Sequence, residues 1–129
     1  MDNKVLIRFV TEQAQYCRAI LSVCTGAFIL HRAGLLSGRR ATTHWASLDR
    51  LRELGDVTVV EERIVKDGPI WTSAGVSAGI DLALAFVADA AGEEAAGRIQ
   101  FGVEYYPSPK SYGRLSEYGK APRYVKEWG

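Results

Sequence analysis

The sequence is poor in the residues that make covalent or metal frameworks: it holds two cysteines, two histidines and one methionine in 129 residues. Two cysteines, Cys17 and Cys24, do not build the disulfide scaffold of a small secreted domain, so a reduced, cytoplasmic protein is expected. Together with His31 and His44 they also lack the close ligand pairs of a structural zinc site, and no metal is expected. Neither sign of charge is in surplus. Sixteen Lys and Arg against fifteen Asp and Glu leave a formal charge of +1, which argues against a general grip on nucleic acid through phosphate neutralisation. No apolar run approaches the roughly 20 residues of a membrane helix, and the start, Met1-Asp2-Asn3-Lys4, lacks the layout of a signal peptide. Internal repeats and low-complexity tracts are also missing. What remains is an ordinary globular composition, 47% hydrophobic and 24% charged, in a length that holds one domain with a real core.

Periodicity divides the chain into alternating helices and short strands. Apolar residues at three- and four-residue steps (Val5, Leu6, Phe9, Val10, Ala14, Cys17) predict a helix over 3–19. The partly β-branched run 20–23 predicts a buried strand ending at Cys24, and a second helical pattern follows over 25–36. Residues 45–54 form an amphipathic helix closed by Gly55. Val57–Val60 reads as a strand, and 63–66 and 70–73 flank Asp67-Gly68 as a hairpin. Residues 76–91 are apolar on nearly every side, which predicts a buried helix. A last helix runs from Glu93 to about Tyr105, with acids in its first turn. Beyond Pro107 the chain reads as an irregular tail that docks or wraps, with 1–113 as the domain and 114–129 as the tail. Its aromatic residues, from Tyr105 to Trp128, alternate with Lys and Arg and read as a docked tail or interface rather than a stacking surface for single strands. Helices alternating with short buried strands indicate a layered α/β domain.

Cys24 is the most informative residue. A thiol where a strand turns into a helix lies near unpaired backbone N–H groups and the positive end of a helix dipole, and both favour thiolate. The same N–H groups, beginning at Gly26, can stabilise an oxyanion. The alternative is a buried, inert packing cysteine. His44, twenty positions on in Thr42-Thr43-His44-Trp45, is placed to return to the thiol as a base or polarising group, or to serve as a hydrogen-bonded turn histidine. His31 reads as structural, and Cys17 as a core-face helix residue. Gly75-Val76-Ser77-Ala78-Gly79 matches the G-x-S-x-G elbow of serine hydrolases. That chemistry needs an acid and then a histidine after the serine, and both histidines precede Ser77. The two glycines are better read as close-packing positions. Arg39 and Arg40, without a wider basic patch, read as a solvated loop.

Ser22-Val23-Cys24-Thr25-Gly26-Ala27-Phe28, followed by Ala33-Gly34-Leu35-Leu36-Ser37-Gly38-Arg39-Arg40-Ala41-Thr42-Thr43-His44-Trp45, resembles the ThiJ/PfpI superfamily, also called class I glutamine amidotransferase-like. The blocks 62–75 and 77–84, then Ile99-Gln100 and Glu104-Tyr105-Tyr106-Pro107, are similar to its later motifs. The resemblance covers residues 3–113. Two branches look nearest: the isonitrile hydratases and the ligand-sensing domain in front of AraC-type DNA-binding domains. The resemblance implies a flavodoxin-like α/β sandwich, a mainly parallel sheet with one β-hairpin, Cys24 at the nucleophile elbow, His44 near it and Thr25 as a site residue. For a hydratase it implies hydration of an isonitrile to an N-substituted formamide, without metal or organic cofactor. The other functions in view are ligand sensing without catalysis and a redox- or aldehyde-responsive stress role. The partners expected are a small-molecule substrate or ligand and further copies of the chain. Family members carry an additional N-terminal part with the first strands and an acidic residue that hydrogen-bonds the elbow cysteine. No residue among these 129 matches that acid, so an N-terminally incomplete sandwich is expected, with an unpaired edge on the elbow strand.

Overall fold

The computed structural model of the chain describes residues 3–127. Asn3 caps the first helix, α1 (Lys4–Ala14), by accepting the Leu6 N–H at 3.0 Å. The helix ends earlier than its apolar period predicts. The N–H groups of Tyr16 and Cys17 both turn back to the Gln13 carbonyl at 3.0 Å, which leaves Cys17 exposed rather than on a core face. The chain then enters β1 (Ile20–Val23) and turns at Cys24 into α2 (Gly26–Arg32). Next come β2 (Arg40–Ala41), a 3-10 turn (Trp45–Ser47) running into α3 (Leu48–Glu53), and β3 (Thr58–Val59). Gly55, at φ +83°, closes the helical segment where the sequence places its cap.

The hairpin forms as read. β4 (Ile64–Asp67) and β5 (Ile70–Ser73) pair antiparallel, with Gly68 at φ +61° in the turn. β5 also pairs in parallel with β1, Ile20 opposite Ile70 and Val23 opposite Ser73, giving the order β1-β5-β4. β2 and β3 form a separate two-stranded parallel ladder. The fold is thus α/β, with helices on a mixed sheet of few strands, and among the described residues β1 has a neighbour on one side only. Its even residues turn their backbone groups to β5: Ile20 N–H donates to the Pro69 carbonyl at 2.9 Å. Leu21 and Val23 therefore direct theirs to the open edge.

The core lies between α2, α3 and one sheet face. Ala27, Leu30, Leu36, Ala41, Leu51 and Ile70 form its cluster. Truncating Leu51, which is fully buried, is a change of about 2–5 kcal/mol in such a setting. The opposite sheet face receives α4 (Ala78–Ala91), where Phe86 meets Trp71 edge-on at 5.7 Å. The expectation that α4 is buried all round does not hold: only Ala78 and Leu82 are buried, and Ile80 is 47% exposed. The reason is that only three strands and one further helix, α5 (Glu93–Gly102), are available to cover it. The C-terminal segment is less irregular than its composition implies. It forms a 3-10 turn (Leu115–Glu117) and α6 (Arg123–Lys126). Charge pairs fasten it: Lys120 to Asp49 at 2.8 Å, and Arg123 to Glu62. Trp128 lies outside the described residues.

Candidate functional site

Cys24 sits in the left-handed backbone region, at φ +59°, where a non-glycine side chain costs about 1–2 kcal/mol. The surrounding hydrogen bonds hold it there. Its N–H lies between the carbonyls of Ser73 at 3.2 Å and Ala74 at 3.1 Å. Its own carbonyl accepts the Thr43 hydroxyl at 2.9 Å. At about 1 kcal/mol each, these bonds are of the size needed to offset the strain. The β1–β5 ladder therefore delivers the thiol to the carboxyl end of the sheet, half-buried, in front of the first turn of α2.

Thr25 is the N-cap of α2, and its hydroxyl makes no capping hydrogen bond. Gly26 opens the helix, and the N–H groups of a first turn have no intrahelical acceptor. A Cβ on Gly26 would meet Ser22 Cβ at an ordinary 3.5 Å, so crowding does not require glycine there. His44 precedes the 3-10 turn and lies against the β5–α4 connection: a Cβ added to Gly75 would stand 2.6 Å from His44 Cδ2. Nδ1 of His44 accepts the Ala46 N–H at 3.1 Å. That bond assigns the proton of the neutral ring to Nε2. In that tautomer Nε2–H is a hydrogen-bond donor.

Ser77 is the N-cap of α4 with ordinary helical dihedrals, φ −68° and ψ −24°. The strained elbow is at Cys24 and not in the G-x-S-x-G segment. That motif's glycines admit neighbours instead, Gly75 the His44 ring and Gly79 the side chain of Val23, 3.0 Å from its would-be Cβ. His31 stands apart, its Nε2 bonded to both oxygens of Asp56 at 2.9 and 3.2 Å. This bond holds the Asp56 carboxyl below the ordinary carboxylate range. The hydrogen bonds of Cys24 run to Ser73, Ala74 and Thr43, and no carboxylate among the described residues bonds to it. No three of His, Cys, Asp or Glu among the described residues gather into a group able to hold a metal.

The supports supplied by Thr43 and Ala74 escape a reading of the sequence, because they are hydrogen bonds to the backbone of Cys24, whereas Gly75 reads correctly as a close-packing position. The only local trace of them is the doublet Thr42-Thr43. There Thr42 N–H also bonds a buried strand hydroxyl, that of Thr72, at 2.9 Å.

A cysteine on a strained strand-to-helix elbow, at the carboxyl end of a parallel strand pair, marks an α/β protein with its free thiol at the elbow. The DJ-1/PfpI family model matches residues 1–89, and the chain belongs to that family. It is 43% identical over 109 residues to isonitrile hydratase from Pseudomonas putida, covering 84% of this chain and 47% of that protein. It is 45% identical over 76 residues to the HTH-type transcriptional regulator CdhR from Pseudomonas aeruginosa, covering 58% of this chain and 23% of the regulator. Among solved structures, a ThiJ/PfpI family protein from Pseudomonas syringae superposes with a TM-score of 0.79 at 35% identity, over 97% of this chain and 50% of that one. The chain therefore spans about half the length of the hydratase, and less of the regulator.

Proposed function

We propose that the chain carries a cysteine-dependent site and that Cys24 adds to the terminal carbon of an isonitrile. The observation behind this reading is the strained elbow at Cys24, held by Ser73, Ala74 and Thr43 in a chain 43% identical to an isonitrile hydratase. The thiol adds across the carbon: a C–S bond forms and the carbon takes a proton, leaving a thioimidate. Water then adds to the same carbon while the nitrogen gains a proton. Breaking the C–S bond returns the thiol and releases an N-substituted formamide. The sum is isonitrile plus water, with no change in oxidation state. In this sequence of steps the protons come from the thiol and the water, the Nε2–H of His44 donates a hydrogen bond to the substrate without giving up its proton, the Thr25 hydroxyl orients the incoming water, and the amide of Gly26 faces the oxygen of the tetrahedral adduct. The free thiols suit a reducing compartment such as the cytoplasm, and the open edge of β1 supports association of the chain with further copies.

Formamide formation from cyclohexyl isonitrile, compared with a Cys24→Ala variant, tests the reading; equal rates would remove it. Alkylation by a limiting thiol reagent gives a second, independent check. Exposure alone predicts that Cys17 reacts first, because it is the more exposed thiol. An activated elbow predicts that Cys24 reacts first.

A second reading, a ligand-sensing domain, is favoured by the 45% identity to a transcriptional regulator. It predicts small-molecule binding that survives in Cys24→Ala, with no turnover by the parent chain.

A further inference from the structure

A second polar constellation lies at the same end of the sheet and has no role in the thiol chemistry. Arg63, just before β4, donates from Nε and Nη2 to a single oxygen of Asp81, Oδ2, at 3.1 and 2.7 Å. Neither Nη1 of the arginine nor Oδ1 of the aspartate takes part in those bonds. Nη2 also reaches the Ser77 hydroxyl at 3.5 Å. This pair forms the polar wall of a cavity of about 400 Å3 that the C-terminal segment closes with Tyr105, Leu115, Tyr124 and Val125, and Cys24 is not part of its lining. The volume falls within the roughly 300–1,000 Å3 of small-molecule sites.

The chemistry of the wall selects the ligand. The guanidinium and the carboxylate already neutralise each other. A ligand carboxylate would face Asp81, and a ligand ammonium would face Arg63; each meets a like charge. A neutral group carrying an acceptor next to a donor avoids both penalties and satisfies both partners. Removal from water and a hydrogen bond to the Asp81 carboxylate hold the Tyr105 phenol above its ordinary pKa, so its hydroxyl turns from Asp81 to the ligand on binding, and burial raises the Tyr124 phenol as well. Both therefore remain hydrogen-bond donors throughout the neutral range. Leu115 and Val125 offer the apolar remainder of the cavity to a short hydrocarbon body.

We propose that the cavity between the Arg63–Asp81 pair and the C-terminal segment binds a small secondary amide, whose carbonyl accepts from Arg63 and Tyr105 and whose N–H donates to Asp81. The proposal does not rest on the hydratase reading, although an N-substituted formamide belongs to this ligand class.

The test is a titration of the 129-residue chain followed by amide NMR, with N-butylacetamide as probe and butyrate and butylammonium as charged counterparts of similar size. Saturable shifts at Ser77, Asp81, Tyr105 and Tyr124 are expected with the amide, and weaker binding with both ions. Tyr105→Phe should weaken amide binding about three- to tenfold, the loss of one hydrogen bond. Asp81→Asn, if folded, should narrow the preference over butyrate. Cys24→Ala should bind the amide as the parent does, which separates this site from the thiol chemistry. Absence of saturable shifts at these residues, butyrate binding as tightly as the amide, or binding unchanged in Tyr105→Phe would each overturn the proposal.

Discussion

The ring of His44 rests on Gly75 with so little space that a β-carbon there would lie 2.6 Å from Cδ2. The ring cannot simply swing away, because the Ala46 N–H holds Nδ1 at 3.1 Å. Gly75→Ala must therefore move the imidazole or the β5–α4 connection. Overpacking of this kind costs about 1–3 kcal/mol. The variant is expected to melt lower and to lose at least about tenfold in formamide formation, since a misplaced catalytic group is costly in rate. Parent-like turnover with a normal melting temperature would show that the ring position is irrelevant to the chemistry.

The Ala46 contact also predicts the tautomer. In the neutral ring, 15N NMR should find the His44 proton on Nε2. Substitution gives the functional counterpart. Glutamine places an N–H near the Nε2 position and asparagine near Nδ1, so His44→Gln should retain more turnover than His44→Asn. The opposite order, or a proton found on Nδ1, would contradict the donor role.

Strain at Cys24 makes a prediction about stability rather than rate. With φ at +59°, glycine fits this position better than any L side chain. Cys24→Gly should be more stable than Cys24→Ala by about 1 kcal/mol, although both lack the thiol. Chemical denaturation of the two variants measures the difference; a more stable alanine variant would mean that the elbow relaxes when the thiol is removed.

Acid should release the C-terminal segment before the core. The Lys120 ammonium lowers the Asp49 carboxyl below its ordinary 3.8, with Arg52 contributing. The Arg123 N–H lowers Glu61 below 4.5, again with help from Arg52. Groups depressed in the folded state stabilise it above their unfolded pKa, and that stabilisation is lost as pH falls through the folded value. Hydrogen exchange at residues 114–127 should therefore accelerate below about pH 4 while β5 and the β1 amides that face it, Ile20 and Ser22, remain protected. Simultaneous loss of protection in both regions would show that the segment is not a separate unit. Salt should act in the same direction, since these pairs are exposed.

The local signals were legible where one residue type decides the outcome. Asp67-Gly68 predicted the hairpin because its turn needs positive φ. The run 20–23 predicted β1 because β-branched residues ended at a turn. Cys24 at that boundary was readable as an elbow for the same reason. The apolar period from residue 3 runs past the end of α1, since periodicity does not register the turn at Tyr16 and Cys17. The partial exposure of α4 is not legible either, because hydrophobicity states what a helix would cover and not how many strands exist to cover it.

By itself the sequence determined the order of the longer helices and strands, the place of the thiol at a strand end, and the family to which the chain belongs, because these depend on residues adjacent along the chain; the short β2, where Arg40 reads as a solvated loop, and α6 in the tail are not legible there. Tertiary structure alone decided which groups hold that thiol in its strained backbone, which nitrogen of His44 carries the proton, and that Arg63 meets Asp81 across the mouth of a cavity. The first and third are set by distances between residues far apart in the chain, and the second by the local turn that brings the Ala46 N–H onto the ring. Such distances exist only once β1 and β5 have paired and the C-terminal segment has docked through Lys120 and Arg123.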